Sequence, residues 1–327
     1  MNWNGKNVLV TGGFGFFGGN LVDALLRRGA RVAVFDNLDP RSGANRANLA
    51  EFLPDILVRE GDICDRQACA QAVAGQDVVF HCAALTSHPR SHHDPVAYAT
   101  VNGIGTLVLV EALRRANPTA RLVALGTSSQ IGVLASPSAD ERHGEFPADI
   151  YSASKTASEK FVLALARAHG MNTTVARLGN VYGPRAHIST PDFGFVNFFV
   201  GLGLRGRDIT VYGDGRQRRN LSYVGDCVET VVRLAERHEP GGEVYFATGD
   251  DHFSVAEIAE AVAGHVGGRV RFVPWPRERL VLEPGDAVIA NDKLKSAIGA
   301  LPSTGIADGL RMTAAYFRQH LADYLPT

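Results

Sequence analysis

Over the first half of the chain, short unbroken apolar runs alternate with stretches of helical spacing. Asn7 to Thr11 reads NVLVT, and from Asn20 to Arg28 the apolar residues recur every three or four positions. Arg31 to Phe35, Ile56 to Arg59, Val78 to His81, Arg121 to Leu125 and Thr173 to Arg177 repeat the first signal. Val96 to Arg115 and Tyr151 to His169 repeat the second over greater length. A strand that is apolar on both faces has to be covered on both, and helices alternating with such strands supply the cover. The pattern predicts an α/β chain built on a Rossmann-type, doubly wound parallel sheet. After about Gly183 glycine and proline become frequent, and the elements are short up to about Leu221. Helical spacing returns at Gly225 to Arg237 and again near Ala307 to Leu321. Residues 1–183 are therefore expected to form the sheet domain, with a strand and helix returning to it near 210–237. Residues 184–327 are expected to form mainly a smaller lobe that closes over the sheet.

Composition narrows the function classes. The 327 residues are 45% hydrophobic and 20% charged, which suits one large domain or two interlocked ones. Lys plus Arg (33) is balanced by Asp plus Glu (34), so the excess positive charge that nucleic-acid binding draws on is missing. The four cysteines form no CxxC pair and read as reduced, buried thiols. No apolar run approaches the roughly 18 residues that span a bilayer, and no leader pattern precedes the first strand. A cytoplasmic protein without a membrane partner is the expectation.

The first strand runs into Thr11-Gly12-Gly13-Phe14-Gly15-Phe16-Phe17-Gly18, with Gly12, Gly15 and Gly18 spaced G-x-x-G-x-x-G. Between a strand and a helix, glycines let backbone approach a pyrophosphate, and the helix start offers free N–H groups. The second strand ends at Asp36, whose carboxylate accepts from a ribose 2′-hydroxyl and repels a 2′-phosphate, so NAD is preferred to NADP. Asp62, in Gly61-Asp62-Ile63, is either an adenine contact or the N-cap of the next helix.

Tyr151 and Lys155 stand four apart in a predicted helix and share a face. A nearby ammonium is expected to lower the tyrosine pKa and suit it to act as a base. One strand–helix unit earlier, Thr127 follows Gly126 at the end of the fifth strand, where ligands of such sheets bind, and it is placed to hydrogen-bond a substrate hydroxyl.

These motifs, with His81-Cys82-Ala83-Ala84, Asn102 before Gly105-Thr106, Asn180-Val181-Tyr182-Gly183-Pro184 and Tyr212-Gly213-Asp214-Gly215-Arg216-Gln217-Arg218-Arg219, run nearly end to end. The chain resembles the extended short-chain dehydrogenases/reductases of the NAD-dependent sugar-nucleotide epimerase/dehydratase family, UDP-glucose 4-epimerase among them. The resemblance implies that Gly12, Gly15, Phe16, Phe17 and Gly18 cradle NAD. It places Asp36 and Asn37 at the adenosine ribose, Asp62 and Ile63 at the adenine, and Ala83, Ala84 and Asn102 along the cofactor path. Tyr151 and Lys155 serve both cofactor and catalysis. Asn180, Tyr212 and Arg219, with Ser128 and Arg90, fall to the sugar nucleotide, a UDP-sugar foremost. A homodimer through the two long helices is implied as well.

All members of this family begin by oxidising a sugar hydroxyl, usually at C4. Those that eliminate water or lose carbon dioxide resemble one another in carrying a carboxylate after the catalytic threonine; here Ser128 and Ser129 stand instead. The expectation is a 4-epimerase working through a transient 4-keto sugar, with Tyr151, Lys155 and Thr127 sufficient. The alternatives are 4,6-dehydration, decarboxylation or ketoreduction, and beyond these a non-catalytic NAD-binding scaffold. Three departures bear on this reading: Gln130-Ile131-Gly132 in place of Val-Tyr-Gly, Asn220 in place of aspartate, and Glu283 where relatives place a nucleotide-binding arginine, with Arg277 or Arg279 as substitutes. The Thr86 to Asp94 loop, rich in histidine, reads as sugar-facing and not as a metal site, with His92-His93 capping the next helix. Its Arg90 can meet a phosphate or a sugar carboxylate, which keeps a uronic acid substrate open.

Overall fold

The structure, a computed structural model, describes every residue except 281, 282, 284, 326 and 327; the side chains of 278 and 279 are also outside the description. In chain order the elements are β1 (Asn7–Thr11), α1 (Phe16–Leu26), β2 (Arg31–Asp36), β3 (Leu57–Glu60), α2 (Arg66–Val73), β4 (Val78–His81), α3 (His88–His93) and α4 (Pro95–Tyr98). A π-helical stretch, Ala99–Gly105, leads into α5 (Thr106–Ala116), then come β5 (Arg121–Thr127), α6 (Ile150–His169), β6 (Thr173–Leu178) and β7 (Asn180–Tyr182). The rest comprises α7 (Phe195–Leu204), β8 (Asp208–Tyr212), β9 (Arg218–Tyr223), α8 (Val224–Ala235), β10 (Glu243–Phe246), β11 (His252–Ser254), α9 (Val255–His265), β12 (Arg269–Val273), α10 (Arg277–Leu280), α11 (Asp292–Ile298) and α12 (Ile306–Tyr324).

Seven strands form one parallel sheet in the order β3-β2-β1-β4-β5-β6-β10. Alternation along β1 explains the double cover. Val8 and Val10 join Leu21 and Leu25 of α1 and Val228 and Val231 of α8 on one face. Leu9 joins Leu109 and Leu113 of α5 and Val162 of α6 on the other. Each such side chain, fully withdrawn from water, contributes about 1.5–3 kcal/mol. The strand order reverses on either side of β1, which opens a crevice beyond the carboxyl ends of β1 and β4.

Two expectations need correction. The strand that returns to the sheet is β10, beyond the 210–237 span; within that span only α8 returns. β8 buries Ile209 and Val211 while Thr210 between them is exposed, the pattern of a strand covered on one face. It pairs with β12, and β9 lies between β11 and β7 in a second small sheet. A third cluster, including Val200, Ile209, Ile258 and Phe317, is the core of this C-terminal part. The second correction concerns Pro95–Ala116, which is by length and composition long and apolar enough to cross a membrane, with 50% of its window buried inside the fold. Its apolar side packs against α2 and α6, as a core helix does.

α6 carries Tyr151 and Lys155 and is defined at both ends. The Asp149 side chain accepts from the Ser152 N–H at the N-cap, and Gly170 closes the C-terminus with φ 62°.

Candidate active site

A cleft of about 890 Å³ runs along the carboxyl ends of the central strands. At one end lies the glycine turn. Gly12 has φ 68°, and a Cβ there would sit 2.7 Å from the Ala83 backbone; one on Gly18 would collide with the Gly12 carbonyl. α1 starts at Gly15 without a side-chain cap and without an acidic residue in its first turn, so its N–H groups face the cleft unpaired. Asp36 is buried and accepts from the Phe14 N–H (2.9 Å) and the Leu38 N–H (2.8 Å). Burial raises its pKa, and those two backbone bonds work against the rise. Asp62 accepts from the Asn37 amide (3.0 Å) and the Cys64 N–H (2.8 Å). The N-cap of α2 is Asp65, so the capping alternative for Asp62 falls away. An open helix N-terminus, a cradle any side chain would fill and two carboxylates beyond it fit a dinucleotide of the NAD type.

At the middle of the cleft stand Thr127, Tyr151 and Lys155. β5 ends at Thr127, whose hydroxyl accepts from the Ser129 N–H (3.2 Å) and lies 2.9 Å from the Ser129 hydroxyl. Lys155 is buried and donates to the Leu125 carbonyl at 2.7 Å. The expected lowering of the tyrosine pKa is not found. Burial pushes Tyr151 up to about 12, while a hydrogen bond with Thr127 works the other way. Burial brings Lys155 down to about 8. The ammonium is spent on a carbonyl, and desolvation outweighs what a shared helix face supplies.

Besides Thr127, Tyr151 and Lys155, fifteen of the expected residues line the cleft: Gly12, Gly15, Phe16, Phe17, Gly18, Asp36, Asn37, Asp62, Ile63, Ala83 and Ala84 around the turn, and Ser128, Asn180, Tyr212 and Arg219 further along. Two expected residues do not. Asn102 is fully buried, and its amide accepts from the Leu85 N–H (2.8 Å) and donates to the Leu85 carbonyl (2.9 Å) and the Ser154 hydroxyl (2.9 Å). It braces the loop after β4 and has no donor left for a cofactor. Arg90 donates to Asp192 at 2.7 Å and lies over the Phe193 ring, so its charge is already matched.

The departures have structural accounts. Gln130 accepts from the Thr127 N–H (3.2 Å) and donates to Glu159 (3.2 Å), which ties the 128–131 turn to a buried ionic cluster. Asn220 is buried and donates to the carbonyls of Gly249 and Asp251. Glu283 forms an ion pair with Arg219, both at the cleft wall. Arg277 is exposed and does not line the cleft; the Arg279 side chain lies outside the described residues. His92 and His93 do not cap the helix that follows; Asp94 does, accepting from the Ala97 N–H. Among the described residues no three of His, Cys, Asp or Glu converge as metal ligands do.

Sequence reading passed over several residues of the cleft. Trp275 lies 5.3 Å from the Tyr212 ring, and His187 lies 4.6 Å from Phe193. Trp275 sits between two prolines in an irregular stretch, where periodicity carries no signal. His88 packs edge-on against Tyr151 (4.8 Å between ring centres) and lies 2.6 Å from Asp149 through Nδ1. In the sequence it stood as one of three histidines in the Thr86 to Asp94 loop, with nothing to mark Asp149 as its neighbour.

Comparison with known proteins gives this geometry a context. Residues 8–247, more than half of the chain, match the NAD dependent epimerase/dehydratase family. A dTDP-glucose 4,6-dehydratase of Streptomyces niveus is 32% identical over 332 residues, covering 98% of this chain and 95% of that one. A UDP-glucose 4-epimerase of Mycolicibacterium smegmatis is 32% identical, covering 95% and 98%. The solved structure of a dTDP-glucose 4,6-dehydratase of Streptomyces venezuelae, with NAD bound, superposes with a TM-score of 0.88 at 27% identity, covering 98% of this chain and 99% of that one. The match in sequence, fold and cofactor cradle makes this chain a member of the NAD dependent epimerase/dehydratase family, an enzyme that holds NAD and processes sugar nucleotides.

Proposed function

We propose that the protein is a sugar-nucleotide 4-epimerase, with a UDP-sugar as the first substrate class to test. NAD, when bound, supplies the acceptor for a sugar hydride and the means of returning it. Tyr151 takes the proton of the hydroxyl being oxidised and gives it back. Thr127 holds that hydroxyl in line, and Lys155 places positive charge next to the exchange.

The observation that carries this reading is the make-up of the turn after β5. Thr127, Ser128 and Ser129 present hydroxyls to the cleft. The nearby carboxylate, Asp149, is taken up by the N-cap of α6 and by His88. Elimination of water requires a free acid and a free base besides the tyrosine, whereas epimerisation requires neither. Ser128, Asn180, Tyr212 and Arg219 fall to the nucleotide and sugar in this reading. The Arg219–Glu283 pair has to open, or to meet the substrate as a pair. Arg90 loses its claim on a sugar carboxylate because Asp192 already holds it.

Incubation of the NAD-loaded enzyme with UDP-, dTDP-, GDP- and CDP-sugars, followed by NMR and mass spectrometry, tests the reading. Exchange of axial and equatorial configuration at C4 with unchanged mass is the expected result. Loss of water or of carbon dioxide in the product would transfer the assignment to dehydration or decarboxylation.

The same reading includes a cytoplasmic homodimer. Val96 and Ile104, on the long helical stretch before β5, are 73% and 51% exposed, and a partner packed on that stretch would cover them. Sedimentation should give twice the chain mass for the native protein and the chain mass for Val96→Asp/Ile104→Glu. A native protein that sediments as a monomer would remove the dimer from the reading.

A further inference from the structure

We propose that Asn48 and Tyr324 are positioning residues through which the C-terminal helix holds the NAD turn in its binding shape. The Tyr324 hydroxyl donates to Asn48 Oδ1 at 2.5 Å, and Asn48 Nδ2 donates to the Phe14 carbonyl at 2.8 Å. Phe14 lies in the glycine turn itself, and its N–H already donates to Asp36. A parallel bridge runs beside the first. The Asn45 N–H donates to the same Phe14 carbonyl (3.0 Å), and the Asn45 amide donates to the Asp323 carbonyl (3.0 Å). Asn48 and Tyr324 are only 1% and 6% exposed, so the first bridge is shielded from competing water.

Position is what these bonds supply. The Phe14 carbonyl and the Gly15 N–H belong to one planar peptide group. Asn48 and Asn45 hold its oxygen, and the Gly15 N–H donates to the Gly12 carbonyl at 3.1 Å. With both sides pinned the plane cannot turn, and α1 starts from it with its free N–H groups facing the cleft. The Asn48 amide has one workable orientation. A carbonyl only accepts, so the amide nitrogen faces Phe14, and the amide oxygen is left in a buried place that needs a donor. Tyr324 is that donor. Packing alone does not call for its hydroxyl, because the Tyr324 ring meets Phe317 edge-on at 5.0 Å and a phenylalanine ring would do the same.

The two residues also join parts of the chain that belong to different cores. Phe14 sits in the cluster around β1 and α1. Tyr324 sits in the C-terminal cluster with Val196 and Phe199, which line the cleft. α12 departs from helical geometry at His320 (φ −119°, ψ 20°), and the turn beyond that point carries Tyr324. Asn48 is held from a third side, where its carbonyl accepts from Arg185 Nε at 3.1 Å. Coupling of this kind is reciprocal: whatever the helix end contributes to holding NAD, bound NAD returns to the helix end.

The proposal concerns the cofactor common to the family and does not depend on which reaction follows. Exchange of bound NAD for labelled NAD in the holoenzyme tests it. Tyr324→Phe and Asn48→Ala are expected to speed that exchange about tenfold, the effect of leaving a buried polar group without its partner. Leu310→Val, near the start of the same helix and in the same cluster, should lower the unfolding midpoint and leave NAD exchange native. A native exchange rate in Tyr324→Phe, or an equal acceleration in Leu310→Val, would overturn the proposal. A second measurement needs no substitution. The Leu325 N–H, bonded to the Leu321 carbonyl at 2.9 Å, should exchange with deuterated water several-fold more slowly when NAD is loaded. A last turn of α12 whose exchange ignores NAD would overturn the proposal as well.

Discussion

Replacement of Tyr151 by phenylalanine is expected to lower turnover by about 10²- to 10⁴-fold, the range for loss of a positioned acid–base group. NAD should still bind. The substitution removes one oxygen from a buried ring and leaves the ring in its place, packed between Leu85 and Tyr98. The cofactor cradle at Gly12, Gly18 and Asp36 does not depend on the hydroxyl. Steady-state turnover together with calorimetric titration of NAD separates the two effects. Full activity in Tyr151→Phe would rule out tyrosine as the base. The pH dependence of the native enzyme has a further signature. Burial holds Lys155 near 8, so its positive charge is present at neutral pH and is lost as pH rises past that value. A reaction that relies on the charged lysine should therefore decline in mildly alkaline solution.

Arg177→Ala is expected to destabilise the fold by about 3–5 kcal/mol, the cost of leaving buried charge unpaired. Arg177 and Glu159 have side chains only 2% and 1% exposed, and two hydrogen bonds of 2.8 and 2.6 Å join them. Glu145 pairs with the same guanidinium, Lys160 with both carboxylates, and Gln130 donates to Glu159. The arginine comes from β6, beside β5, and Glu159 from α6, so the cluster clamps the helix that carries Tyr151 to the strand that ends in Thr127. Burial raises the pKa of Glu159, while the bonds and charge of Arg177, with Lys160, outweigh it and hold the carboxyl below its usual range. A carboxyl depressed in the folded state stabilises fully above its unfolded pKa and stops doing so as pH falls through the folded one. Chemical denaturation of the native protein should accordingly show stability falling in acid, and Arg177→Ala should flatten that dependence. A loss below about 1 kcal/mol would mean that the site relaxes around the missing arginine.

Local chemistry explains why so much of the cofactor end could be read from the chain. Gly12 needs a left-handed φ and a bare α-carbon, Asp36 has to close the second strand, and the helix start has to stay uncapped. Each requirement is met by residues within one strand–turn–helix unit, so spacing along the chain is nearly spacing in space. Tyr151 and Lys155 were legible for the same reason, because four residues of helix set their geometry.

The rest depended on contacts between residues far apart in sequence. Asn102 matched a motif, but the fold spends its amide on Leu85. Arg90 read as a free cation until Asp192, 102 residues later, was placed beside it. The protonation of Tyr151 turned on burial, which depends on the whole fold and not on a neighbour four residues away. His88 and Asp149 are 61 residues apart and meet only because α3 packs on the start of α6. Hydrophobic period and glycine spacing, being short-range constraints on the backbone, specify the sheet and its cofactor turn. Desolvation and partner choice are long-range properties of packing, and these set which charges in the cleft are free to do chemistry.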